Sequence, residues 1–202
     1  MSVNDKRPAR AWQRMLSGRR LDLLDPKPED IEIEDIAHGL ARVARWNGQT
    51  VGDHAFSVAQ HSVLVAAIVA AIEPDFNARQ LCAALLHDAP EYVIGDLISP
   101  FKSAIGLDYK AFEQNLLAAI YSRFGIGEID DYAVSTIKRA DTIAAYYEAT
   151  LLAGFTPDEA ERFFGRPVLP EIIGRELMVL TPHSTKDAQR QFLDVFKKYA
   201  PF

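Results

Sequence analysis

Apolar residues recur along most of this chain every three to four positions, the period of a helix buried on one face. Ile36, Leu40 and Val43 form one such stripe within Asp35–Trp46, while His38, Arg42 and Arg45 fall on a different one. Residues Ser57–Ile72 are apolar nearly all round, which predicts a helix at the centre of the fold. Their longest apolar run is ten residues, Val63–Ile72. A membrane span needs about 20, so this is read as a core helix and no membrane partner is expected. Asn77 caps a third helix that is expected to run to His87. In Asp88-Ala89-Pro90-Glu91 the proline suits a first helical turn and not a helix interior. Asp88 is therefore expected to cap a new short helix, with Glu91 completing a capping-box arrangement.

Further along, Phe112, Leu116, Ala119 and Ile120 mark a helix from about Asp108 to Phe124, stopped by Gly125. A long helix begins at Asp130 or Asp131 and ends at Gly154. Thr156-Pro157-Asp158-Glu159 combines a capping box with proline at the first helical position. A last amphipathic helix covers Ser184–Tyr199, with Ala188, Phe192 and Val195 inward. Trp12, Met15 and Leu16 stand at helical spacing and predict a short helix packed on the body. Strand signal is confined to Ile31-Glu32-Ile33 and Leu177–Leu180, which could pair as a minor β-ribbon. The fold class is all-α. With no repeat, low-complexity tract or Gly/Ser linker, residues 1–202 read as a single domain, with an N-terminal extension (1–30) and a C-terminal helical part (155–202).

The composition, 49% hydrophobic and 25% charged over 202 residues, is that of a globular protein able to bury a core. The single cysteine, Cys82, excludes a disulfide scaffold and suits a core position in a reducing compartment. No apolar signal segment occurs in the first thirty residues, so a cytoplasmic location is expected. A net charge of −6 argues against a nucleic-acid polymer as partner, but a small anion needs only a few local cations. The charge is uneven: Lys6, Arg7, Arg10, Arg14, Arg19 and Arg20 face only Asp5 in residues 1–20. A targeting peptide is the alternative reading of that start, and the packed helix is preferred.

Four side chains stand out within otherwise apolar helices: His61, His87, Asp88 and Asp141. Singly, each has a plain structural explanation, as a hydrogen-bonded core histidine, a helix cap, or a partner of Lys138 or Arg139. Together they make a two-His, two-Asp set on three predicted helices, suited to one divalent ion (Mn, Co, Mg, Zn, Fe or Ni).

The order His61, then His87-Asp88, then Asp141, with gaps of 25 and 52 residues, resembles the H…HD…D signature of HD-domain phosphohydrolases. Ser57–Ser62, Leu85–Glu91, Gly95–Lys102 and Lys138–Asp141 resemble the corresponding segments of the bacterial 5′-deoxynucleotidases. Leu24-Asp25-Pro26, Glu34–His38 and Arg45–Gly48 resemble the small phage-type dATP triphosphohydrolases. The resemblance covers about Ile31 to Gly154 and implies an HD-domain helical bundle and a homo-oligomer. It implies metal ligation by His61, His87, Asp88 and Asp141, and catalysis by Glu91, a general acid–base, with Asp96 as a second site carboxylate. Arg45 and Trp46 match that family's nucleotide-contacting pair, and Lys102 is a further phosphate-binding candidate. No histidine lies between Asp88 and Asp141, which favours one metal over the dinuclear arrangement of related phosphodiesterases and oxygenases. His38, His54 and His183 are read as structural or surface residues.

The expected function is hydrolysis of a deoxynucleotide, a 5′-monophosphate or a triphosphate, by metal-activated water. The alternative is a non-catalytic helical module that senses a nucleotide or binds a partner and keeps a structural metal site. Retention of all four ligands and Glu91 favours the enzyme.

Overall fold

The computed structural model describes residues 11–96, 107–169 and 179–201. In chain order they form strands β1 (Trp12–Arg14) and β2 (Arg20–Asp22), then helices α1 (Ile33–Leu40), α2 (Val58–Ile72), α3 (Ala78–Leu85), α4 (Glu91–Ile94), α5 (Leu107–Arg123), α6 (Asp131–Leu151), α7 (Pro157–Phe164) and α8 (Thr185–Tyr199). No described helix is long and apolar enough to cross a membrane.

α2 is the central element, as its all-round apolar sequence requires. It packs on α3, α6 and α8, and Val58, Ala59, Val65, Ala66, Ile68 and Val69 are buried. Local caps start most of the helices around it. The Ser57 hydroxyl accepts from the Gln60 amide, Asn77 and Gln80 make a reciprocal capping box, and Thr156 and Glu159 make another. Asp130 caps α6, which ends at Leu151, just short of Gly154. Ser184 caps α8, whose Ala188, Phe192, Phe196 and Tyr199 are buried.

The structure corrects the reading of the N-terminal part. Trp12 lies in a β-hairpin, not a helix: β1 pairs antiparallel with β2 in the register Gln13↔Leu21. Gly18, at φ +90°, turns the chain. The hairpin buries Met15 and Leu21, leaves Leu16 outside, and stacks the Arg14 and Arg20 guanidinium groups on Trp12 at 5.5 and 4.5 Å. Much of the basic start described here is thus occupied with its own tryptophan. Ile31–Ile33 is not a strand, because Ile31 closes a 3₁₀ turn at Pro28–Asp30 and Ile33 opens α1. Of Leu177–Leu180, the first two residues lie outside the described residues and Val179 and Leu180 are not in a strand.

α1 stops at Leu40, well before Trp46. The chain then extends, and the Arg45 amide donates to the Phe56 carbonyl at 2.8 Å while Ala44 bridges Ser57. This short pairing places Arg45 and Trp46 beside the start of α2. Trp46 and Asn47 take left-handed conformations, at φ 55° and 51°. That region is unfavourable for side chains with a Cβ and is held only when tertiary contacts impose it.

α1 and α4 meet at Gly39, where an added Cβ would lie 2.8 Å from the Tyr92 Cβ and 3.0 Å from its carbonyl oxygen. The obstruction is partly backbone, so α4 itself would have to move. Gly39→Ala is expected to destabilise the fold by about 1–3 kcal/mol, the usual cost of overpacking. A thermal-unfolding curve that shows a lower Tm for the variant checks this.

Candidate active site

α2 carries His61 into the interior with no exposed surface. Its Nδ1 lies 2.5 Å from Oε1 of Glu148 on α6. A carboxylate at that position accepts, so Nδ1 carries a proton and Nε2 points the other way. Nε2 faces Asp88 Oδ2 at 3.4 Å and Asp141 Oδ1 at 3.3 Å.

His87 and Asp88 do not sit on a helix. α3 ends at Leu85, short of the expected His87, and the chain passes through tight turns to Pro90. The Asp88 carbonyl accepts from the Glu91 amide at 3.0 Å, and Pro90 occupies the N-cap position of α4 without a side-chain cap. Asp88 is therefore not the cap, and Glu91 completes no capping box. The side chain expected to cap instead faces two imidazoles. His87 Nδ1 donates to the Ala84 carbonyl at 2.8 Å, and its Nε2 lies 3.3 Å from Asp88 Oδ2.

Both histidines thus have Nδ1 committed to an acceptor and Nε2 directed at Asp88. Both Nε2 atoms are buried without a hydrogen-bond partner. One ligand atom each from His61, His87 and Asp88 falls within 4.8 Å of the others. Buried imidazole lone pairs beside a carboxylate fit a divalent cation. Asp141 stands next to this group: Oδ1 faces His61, while Oδ2 accepts from Lys138 at 2.6 Å. The bland pairing with Lys138 therefore exists, and it takes only one of the two oxygens.

On the neighbouring side, Arg45 is 14% exposed and lies between Glu148 Oε2 and Asp96 Oδ2, at 3.3 Å from each. The Trp46 indole donates to Glu148 Oε2 at 2.9 Å, and its ring packs on Phe155 and Phe164 at 5.6 and 6.1 Å. Asp96 thus neighbours Arg45. Glu91, at the start of α4 three residues after Asp88, is buried. Lys102 lies outside the described residues. The other histidines serve elsewhere: His54 is exposed, His38 gives its carbonyl to Arg42, and the His183 amide donates to Gln60.

Glu148 is the site residue that sequence reasoning missed. The signal was present, since a carboxylate seven residues after Asp141 lies two turns along on the same face of one helix.

The electrostatics explain how so many carboxylates stay charged. Burial opposes ionisation of Glu148, but Arg45, His61 and the Trp46 indole outweigh it and hold its pKa down to about 2. Burial likewise opposes ionisation of Asp88 and Asp141, and the two imidazoles keep both well below the usual carboxylate range. For His61, burial and Arg45 act against a positive charge, and Glu148, Asp141 and Asp88 more than reverse them. The cluster as a whole attracts positive charge to the space around His61 Nε2.

Residues 36–153 match the family model described as 5′-deoxynucleotidase YfbR-like. An uncharacterized protein of Rhodobacter capsulatus is 59% identical over 159 residues, which cover 78% of this chain and 81% of that protein. The uncharacterized protein YfdR of Escherichia coli is 32% identical over 169 residues, covering 83% of this chain and 84% of that protein.

Asp88→Ala is expected to lower bound divalent metal and nucleotide hydrolysis together, because it removes the oxygen that both Nε2 atoms face. Metal content per chain by elemental analysis, measured beside activity, checks the prediction.

Proposed function

Because this chain belongs to the YfbR-like family of 5′-deoxynucleotidases, we propose that it removes the 5′-phosphate from deoxynucleoside monophosphates. The observation that carries this reading is the pair of buried, unpartnered Nε2 atoms of His61 and His87 flanking Asp88, with Arg45 in the same pocket of charge. Asp88, Asp96, Asp141 and Glu148 outnumber Arg45. A phosphate dianion would be repelled by that set unless a further cation joined it. His61, His87, Asp88 and Asp141 would hold a divalent ion, which supplies Lewis acidity toward phosphoryl oxygen and water.

The chain's own residues supply the rest. Arg45 sets a fixed positive charge where phosphoryl charge develops, and burial by its neighbours keeps it in place. Its guanidinium remains protonated because Glu148 and Asp96 outweigh the cost of its burial. Trp46 forms an aromatic wall beside it for the nucleoside. Glu91 accepts a proton from the attacking water as the new O–P bond forms, and returns it to the 5′ oxygen as the P–O5′ bond breaks. The products are the nucleoside and inorganic phosphate. Asp96 orients Arg45 through their ion pair.

The test is a screen of deoxy- and ribonucleoside mono-, di- and triphosphates with Mn, Co, Mg and Zn, with products separated by chromatography. Phosphate released from 5′-deoxynucleoside monophosphates is expected. Release of triphosphate from deoxynucleoside triphosphates would instead favour the activity suggested by Leu24–Pro26 and Arg45–Gly48. Metal and nucleotide binding with no hydrolysis of any substrate would leave a sensing module.

Two substitutions separate the roles. Glu91→Ala should keep its metal and lose roughly 10²–10⁴ in kcat, and wild-type turnover in that variant removes the assignment. Arg45→Ala should raise KM for the nucleotide at saturating metal, as steady-state kinetics would show.

A further inference from the structure

Glu148 takes no part in the steps above, yet it touches both halves of the site. Oε1 meets His61 Nδ1, while Oε2 accepts from the Trp46 indole and from Arg45 Nε. The side chain has no exposed surface, so water cannot replace a lost partner. Its two oxygens are rigidly joined, and a change in one contact is felt at the other. A simple structural ion pair would need only Arg45, which has Asp96 as a second acceptor. The shortest of the contacts, at 2.5 Å, is instead the one to His61.

Resting on the reading of the site as a metal-dependent nucleotidase, we infer that Glu148 is a positioning residue that couples the metal-binding histidine to the nucleotide-binding pair. Through Oε1 it selects the Nδ1–H form of His61 and leaves Nε2 for the ion. Through Oε2 it orients Arg45 and stabilises the left-handed backbone of Trp46. The coupling makes nucleotide-side geometry depend on the state of the metal side. Glutamine is the discriminating substitution. It keeps the shape of the side chain but offers one acceptor oxygen and an NH₂ group where three donors converge.

The experiment reads binding and spectroscopy, not turnover. The chain has two tryptophans, so Trp12→Phe leaves Trp46 as the sole source of tryptophan emission, read with excitation at wavelengths that tyrosine does not absorb. Zinc titrated into the metal-free Trp12→Phe protein should shift Trp46 emission in step with zinc binding measured by calorimetry. Adding Glu148→Gln should weaken zinc about 10–100-fold, the usual effect of losing the partner of a ligating histidine, and should abolish the emission response at saturating zinc. Zinc affinity unchanged by Glu148→Gln overturns the inference. So does an emission response that survives at saturation in that variant. If Glu148→Gln does not fold by circular dichroism, the Trp12→Phe titration decides alone: zinc bound with no change at Trp46 overturns the coupling. Failure of the nucleotidase reading would show separately, as absence of hydrolysis with these binding signals intact.

Discussion

A fully buried imidazole must satisfy two nitrogens where water can reach neither. His61 imposes that demand on the rest of the fold. Its Nδ1 requires an acceptor from across the α2–α6 interface, and Glu148 supplies it. Its Nε2 is left without a hydrogen-bond partner, with Asp88 from the turn between α3 and α4 and Asp141 from α6 placed 3.4 and 3.3 Å away. On α6, Ala144 stands one turn before Glu148 on the same helix face and is fully buried.

This arrangement concentrates like charges. Asp88, Asp141 and Glu148 are drawn around one imidazole, with Arg45 and Asp96 adjoining. Such a set is a poor way to gain stability, because desolvation of buried charges offsets much of their attraction. Local conflict of this kind belongs to functional sites, and the surrounding apolar core compensates for it. The left-handed turn at Trp46 belongs to the same class. Its side chain is anchored by the indole's hydrogen bond to Glu148 and by packing on Phe155 and Phe164.

Where the sequence was legible, the cause acted over a few residues. The caps at Asn77, Asp130, Thr156 and Ser184 appear where their side chains and helical periodicity require. The all-round apolar α2 lies at the centre, and the segments around His61, His87-Asp88 and Asp141 converge. The failures share a different cause. Trp12, Met15 and Leu16 fit a helical stripe, but burying Leu21 and stacking two arginines on Trp12 favoured a hairpin. Asp88 carries a good capping side chain, but the turn before α4 directs it at the two imidazoles instead. The stripe Ile36, Leu40 and Val43 runs past the end of α1, because the following residues pair with the chain entering α2.

By itself the sequence determined the helical class, the central position of α2 and the identity of the metal-binding candidates. Those follow from hydrophobic period, capping chemistry and the types of side chain at ordered positions. Only the tertiary structure decided which nitrogen of each histidine is free, what Asp88 does, and that Glu148 stands between His61 and the Arg45–Trp46 pair. Glu148 meets His61 across a separation of 87 residues and Trp46 across 102. No local preference reaches that far. Such contacts exist only once packed helices bring distant residues within hydrogen-bonding distance in a place that excludes water.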